Sequence, residues 1–167
     1  MEKIRKFASM IREFCLDDLQ SVTDICNFYI RTSTATFELN DVSPQEMARR
    51  FVSGLPGLVA VEDERIAGYA YVHPWKERAA YAPTLELTVY IAPEFCGRGL
   101  GELLVSEVIE RTRQTGRFRS IIACITADNE RSIRLFRSLG FEQVSFFRSV
   151  GEKFGRLLDV VDLQLLI

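Results

Sequence analysis

Leu85-Glu86-Leu87-Thr88-Val89-Tyr90-Ile91-Ala92-Pro93-Glu94-Phe95-Cys96-Gly97-Arg98-Gly99-Leu100-Gly101, running on into Glu102-Leu103-Leu104-Val105-Ser106-Glu107-Val108-Ile109, reads as a strand, a glycine-rich turn and an amphipathic helix. Leu85, Leu87, Val89 and Ile91 alternate with Glu86, Thr88 and Tyr90, which is the period of a half-buried strand. Pro93 has no N–H to donate and ends that ladder. Apolar residues at 100, 103, 104, 105, 108 and 109 then recur on one helical face. Between strand and helix, Gly97, Gly99 and Gly101 let the backbone approach a ligand closely. The first N–H groups of the helix are unpaired and lie at the positive end of its dipole, where an anion is favoured. The glycines alone leave two readings open, a phosphate cradle and a plain strand-to-helix turn.

With 167 residues, 47% of them apolar, the chain has enough material for one well-packed domain. Its net charge is -2 at pH 7, so neither a general nucleic-acid surface nor an anionic-membrane surface is indicated. No apolar run is long enough to span a bilayer, and the first ten residues lack the apolar core of a signal peptide. A cytoplasmic location is therefore expected. Cys15, Cys26, Cys96 and Cys124 show no Cys-x-x-Cys spacing, and Cys15, Cys26 and Cys124 sit in apolar patterns that read as core thiols. His73 is the only histidine. A multi-histidine metal site is thereby excluded and no metal is expected. A Ser-His-Asp or Cys-His nucleophile system would have to use His73, and no Gly-x-Ser-x-Gly accompanies it.

Upstream, residues 11–14 read as a short strand. Leu19, Val22, Ile25, Cys26 and Tyr29 recur at helical spacing behind Asp17 and Asp18, whose carboxylates suit a helix start. That helix should fade in Thr32-Ser33-Thr34-Ala35-Thr36, a run of poor helix formers. The loop that follows, with Phe37 and Glu38, is either a connection or part of a pocket wall. Ser43-Pro44-Gln45-Glu46 has the cap, the first-turn proline and the reciprocal glutamate of a helix start. Residues 58–61 and 65–72 form a hairpin around Asp63-Glu64. The polar loop His73-Pro74-Trp75-Lys76-Glu77-Arg78 is either a lip over a substrate cavity or a surface loop anchored by its tryptophan. Downstream, Gly116 ends the long helix and residues 120–125 form a buried strand. Asn129 and its neighbours cap another helix that stops at Gly140. Arg131, Arg134 and Arg137 make either a solvated stripe or a contact to an acidic cofactor tail. Residues 142–150 and 157–167 close the chain as two strands around 151–155. This order is an α/β (α+β) single domain spanning residues 1–167, with a core of residues 11–166, on a mixed sheet.

Four stretches together resemble the GNAT acetyltransferase superfamily, and within it the branch of phosphinothricin and methionine sulfone/sulfoximine acetyltransferases. They are residues 29–38 (Tyr-Ile-Arg-Thr-Ser-Thr-Ala-Thr-Phe-Glu), 89–101, 129–141 (Asn-Glu-Arg-Ser-Ile-Arg-Leu-Phe-Arg-Ser-Leu-Gly-Phe) and 154–160 (Phe-Gly-Arg-Leu-Leu-Asp-Val). The resemblance implies a mostly antiparallel sheet of about seven strands flanked by about four helices. It implies acetyl-CoA as co-substrate, with its pyrophosphate on the backbone of Gly97, Arg98, Gly99, Leu100, Gly101 and Glu102. The pantetheine arm would lie along Val89, Tyr90 and Ile91 like an added strand, and Asn129 would contact the cofactor. Glu86 is the candidate base, with a fixed partner for an arginine or for the substrate ammonium as the alternative role. The Val89 N–H is the candidate donor to developing negative charge. Phe37, Trp75, Glu86 and Thr88 would line the acceptor site. A homodimer is also implied.

The chain departs from the family pattern at three places. Cys96 stands where a glutamine or arginine usually opens the glycine loop, with Arg98 as a possible substitute donor. A thiol beside a helix N-terminus can be reactive, and plain sequence drift is the other reading of Cys96. Phe136 stands where relatives carry a tyrosine or histidine acid, and Leu157 where the branch often has a tryptophan. The expected activity is direct acetyl transfer to the α-amine of a small amino-acid-like substrate. The alternatives are acetylation of a peptide N-terminus or a polyamine, and a non-catalytic acyl-CoA sensor.

Overall fold

The computed structural model describes residues 10–167; of the expectation for the first ten residues, the part on residues 1–9 lies outside the described residues. In chain order the elements are β1 (Met10–Glu13), α1 (Leu19–Thr32), α2 (Pro44–Arg50), β2 (Gly57–Glu62), β3 (Arg65–Pro74), β4 (Thr84–Ile91), α3 (Leu100–Gln114), β5 (Ser120–Thr126), α4 (Glu130–Ser138), β6 (Glu142–Gln143), β7 (Phe147–Lys153) and β8 (Arg156–Leu166). The strands form one sheet in the order β1-β2-β3-β4-β5-β8-β6, with β7 also paired to β8. Every pairing is antiparallel except β4 with β5.

The local signals explain the elements. Ser43 Oγ accepts the Glu46 N–H and the Glu46 carboxylate accepts the Ser43 N–H, a closed capping box. Asp63 and Glu64 both take positive φ, 51° and 60°, the conformation of a two-residue hairpin turn whose twist matches its strands. A second such turn is narrower than the expected 151–155, because β7 and β8 run up to Phe154 and Gly155. The segment expected as one strand over 142–150 is two strands. It is interrupted where Val144 N–H bonds the Asp162 carbonyl and the Ser145 hydroxyl takes the Asp162 N–H, so the sheet has eight strands among the described residues.

Helices α1 and α2 cover one sheet face, where Tyr69, Tyr71 and Tyr90 pack on one another, on Tyr29 and on Phe51. Helices α3 and α4 cover the other, above Leu85, Leu87, Ala123 and Leu163. Only Cys26 of the three expected core thiols is buried. Cys15 is exposed in the turn before α1, and Cys124 is exposed because β5 carries it on the face where β4 has moved away.

The irregular segment 33–36 is fixed by side chains from elsewhere in the chain. Lys153 Nζ donates to the carbonyls of Ser33 and Thr36, each at 2.8 Å. Thr126 Oγ1 donates to the Thr34 carbonyl at 2.6 Å, and the Tyr90 hydroxyl to the Ala35 carbonyl at 3.1 Å. Four consecutive carbonyls outside any helix or strand are thus satisfied, as semi-buried backbone requires. Lys153 is buried, and burial lowers its pKa; the two carbonyls compensate the desolvated ammonium. The Phe37 ring lies directly over Gly151, where a Cβ would fall 2.2 Å from the ring. Replacing Lys153 with Met should destabilise the protein by about 2–4 kcal/mol, since two acceptors lose a charged donor. Denaturant unfolding checks the size, and hydrogen exchange should show faster opening confined at first to residues 33–37.

Candidate active site

β4 and β5 pair only over Thr84–Glu86 and Ser120–Ile122. Beyond that point they part, and the gap opens into a cavity of about 1010 Å³. The backbone of β4 faces this gap in a defined phase. The Ala92 N–H bonds the Ala67 carbonyl at the edge toward β3, so by strand alternation the N–H groups of Val89 and Ile91 point the other way, toward β5. No strand opposes them there among the described residues. The Ile91 carbonyl lies on the same side and accepts the Tyr29 hydroxyl at 2.5 Å. Of the backbone groups expected to meet a pantetheine arm, that one is already engaged.

At one end of the cavity stand Gly97, Gly99, Leu100, Gly101 and Glu102. Gly97 and Gly99 both have φ of 81°, a left-handed conformation that a side chain makes costly. A Cβ on Gly101 would come within 3.3 Å of Leu135. The turn therefore presents bare backbone at the start of a 15-residue helix, an arrangement that accepts phosphate. Arg98 gives the turn its backbone only, because its guanidinium is turned away to Glu62 and to the Glu94 carbonyl. Cys96 does not substitute for the missing polar residue either. Its Sγ lies 3.8 Å from both the Tyr29 hydroxyl and the Ile91 carbonyl. Asn129 lines the cavity while its side-chain oxygen caps α4 through the Ser132 N–H, leaving its amide NH2 without a partner among the described residues. Arg131 also lines the cavity, whereas Arg134 pairs with Glu130 and Arg137 with Gln143. The arginine stripe is thus divided between the two readings.

At the other end, Glu86, Thr88 and Tyr90 project from β4 on the face shared with Tyr69, Tyr71 and His73 of β3. Glu86 stands directly opposite His73 across the strand pair, and Cys124 stands opposite Asp162 on β5 and β8. Burial raises the Glu86 pKa; the charge of His73 opposes that rise and the charge of Asp162 adds to it. Although Cys124 is open to the cavity, the protein packed around its sulfur pushes the thiol up to about 12, desolvation first and then the charges of Asp162 and Glu86, so it is protonated at neutral pH and a poor nucleophile. Phe37 closes this end with Thr36 and Glu38. Phe136 is buried edge-on against Phe141 and presents only carbon to the cavity.

One sequence expectation falls outside this site. Trp75 is not in the lining; its ring packs edge-on against Tyr81 with the Lys76 ammonium 4.2 Å from its centroid. Leu157 is exposed on β8. Conversely, His73, Arg50, Tyr71 and Cys124 line the cavity although the sequence reading did not choose them. His73 had one available signal, being the sole histidine at the end of a strand. The other three had none, since their positions depend on cross-strand register.

The profile of the Acetyltransferase (GNAT) family matches residues 22–141. A phosphinothricin N-acetyltransferase from Alcaligenes faecalis is 38% identical over 167 residues, covering 97% of this chain and 84% of its own. An L-methionine sulfoximine/L-methionine sulfone acetyltransferase from Salmonella typhimurium is 34% identical over 152 residues, 89% of this chain and 88% of its own. The crystal structure of a phosphinothricin acetyltransferase from Sinorhizobium meliloti in complex with acetyl-CoA superposes with a TM-score of 0.91 at 35% identity, covering 95% of this chain and 88% of that one. With the split sheet, the bare glycine turn and these likenesses in agreement, the chain belongs to the GNAT acetyltransferase family.

Proposed function

We propose that this enzyme moves the acetyl group of acetyl-CoA directly to the α-amine of a small amino-acid-like acceptor, of the phosphinothricin, methionine sulfone or methionine sulfoximine type. The observation that carries the reading is the placement of Glu86. It stands on the cavity face of β4 at the last residue before the β4–β5 ladder ends. In the proposed assignment, the backbone from Gly97 to Glu102 takes the phosphates, Val89 to Ile91 take the pantetheine arm, and Asn129 contributes its free amide NH2. Bound there, acetyl-CoA supplies an activated acetyl thioester whose thiol leaves with a pKa of about 8.5. Phe136 has no proton to give, and a leaving group of that acidity does not demand one.

Glu86 receives the proton of the acceptor ammonium. An exposed glutamate titrates near 4.3 and is a weak base at neutral pH; the burial of Glu86 moves it in the useful direction. The Val89 N–H, pointing into the gap, donates to charge that develops during transfer. Thr88 and Phe37 line the acceptor end with Glu86. Trp75 has no place in this assignment within one chain. The protonated Cys124 thiol favours direct transfer over an acetylated enzyme.

We also assign a cytoplasmic location and a homodimer. Four free cysteines suit a reducing compartment, and no helix among the described residues is long and apolar enough to cross a membrane. Phe146, Phe147, Val150, Phe154 and Leu157, in and beside β7 and β8, are exposed apolar side chains. β7 pairs only with β8, so its outer edge is open to a second copy.

Four measurements test this reading. In a free-thiol assay over amino acids, methionine sulfone, methionine sulfoximine, phosphinothricin, peptides and polyamines, an amino-acid-like acceptor should turn over fastest. Glu86→Gln should lower kcat by about 10²–10⁴-fold with acetyl-CoA affinity retained; binding without turnover of any amine would instead indicate an acyl-CoA sensor. The acid limb of kcat/KM reports the ionisation of Glu86 in the free enzyme. His73→Gln removes a charge that lowers the Glu86 pKa, so the limb should move to higher pH; Asp162→Asn removes one that raises it, so the limb should move to lower pH. Light scattering should give twice the chain mass, and Val150→Asp should return the monomer.

A further inference from the structure

The acceptor end of the cavity contains a cation that the proposed reaction does not use. Arg50 is the last residue of α2, a helix held at its start by the Ser43–Glu46 capping box and by the fully buried Met47. The next residue, Phe51, stacks on Phe14 with centroids 3.8 Å apart and leans on Tyr71 at 5.0 Å. The end of the helix is therefore anchored, and the guanidinium is delivered over Tyr71, against which Thr88 also lies. Among the described residues lining the cavity, arginine or lysine occurs only at Arg50 and Arg131. Arg131 is on α4 at the cofactor end, near enough to Tyr29 for its charge to be felt there. Arg50 is the one on the acceptor side.

Building on the amino-acid-acceptor reading, we propose that Arg50 binds the carboxylate of the acceptor and thereby selects α-amino acids over amines that lack one. The spacing fits. Tyr71 pairs with Thr88 and His73 with Glu86, so Tyr71, whose side chain Arg50 meets, stands one same-face step, about 7 Å, from the His73–Glu86 pair. An α-amino acid places its nitrogen and carboxylate oxygens roughly 3 Å apart, and a hydrogen bond of about 2.8 Å at each end gives a span of roughly 8 Å. Glu86 at one end and Arg50 at the other bracket such a molecule.

The chain already places a carboxylate on this guanidinium. Glu38, next to Phe37 on the loop that closes the acceptor end, bonds Arg50 Nη2 at 2.7 Å. Arginine carries five N–H donors in a fork that matches a carboxylate. Glu38 takes one of them, so an acceptor carboxylate either joins Glu38 or replaces it. Pairing with Glu38 also keeps the cation neutralised before the acceptor arrives.

The test compares methionine sulfone with its carboxamide, which keeps the α-amine and loses the negative charge. Arg50→Met should raise KM for the acid by about 10–100-fold, the loss of a charge-assisted pair, while KM for the carboxamide stays close to the wild-type value. Arg50→Lys should recover part of the loss for the acid only. Equal losses on both compounds, or none on the acid, would overturn the assignment. So would loss of acetyl-CoA affinity in both variants, which would make Arg50 a structural residue. A wild type that acetylates the carboxamide as well as the acid sinks the Arg50 role alone. A wild type that acetylates no amino acid, amide or ester removes the function proposed above and this inference with it.

Discussion

β4 and β5 part after three paired residues, and the cavity, its exposed backbone donors and the position of Glu86 all follow from that parting. Two parallel strands that stayed paired would hide their hydrogen-bonding edges from any ligand. Here the ladder stops after Glu86 and Ile122, and the sheet is held together from outside the gap, by β3 on one side and β8 on the other. The gap leaves backbone donors of β4 pointing into a cavity without the cost of buried unpaired groups, because that cavity is open to water. It also brings Cys124 out of the core, and places Glu86 where one sheet edge ends and the opening begins.

Keeping such a gap open demands rigid walls. One wall is the turn from Gly97 to Gly101, where the left-handed backbone of Gly97 and Gly99 makes a side chain costly and Leu135 closes on Gly101. The other is the segment 33–36, which belongs to no helix or strand and is held by four side-chain bonds from Lys153, Thr126 and Tyr90. Tyr29 links the two walls, since α1 leads directly into that segment while its phenol holds the Ile91 carbonyl. The proposed acceptor site is thus built from parts of the chain up to about 120 residues apart in sequence.

Much of this was legible in the order of residues. The strand, glycine turn and helix of residues 85–109 were readable because periodicity and glycine placement are local properties. The Ser43–Glu46 cap and the Asp63-Glu64 hairpin were readable for the same reason. The errors share a different cause. Cys124 was read as a core thiol because its neighbours are apolar, yet exposure depends on whether the adjacent strand is present. Trp75 was open to two readings, the acceptor lining that the resemblance implied and the anchor of a surface loop, and its ring packs on Tyr81 outside the cavity lining. Arg98 was offered as a phosphate donor, but Glu62, a residue of the hairpin, claims it.

Fold class, the family resemblance, the bare glycine turn ahead of α3 and the place of Glu86 on the polar face of the central strand were all readable in the order of residues. Each of these rests on the spacing of residues close together in the chain. Folding of the whole chain was needed to set which groups face Glu86, to let Lys153 hold residues 33–36, and to bring Arg50 rather than Trp75 to the cavity wall. Those facts depend on register between strands and on which side chain reaches a given partner first, and neither is encoded in local periodicity.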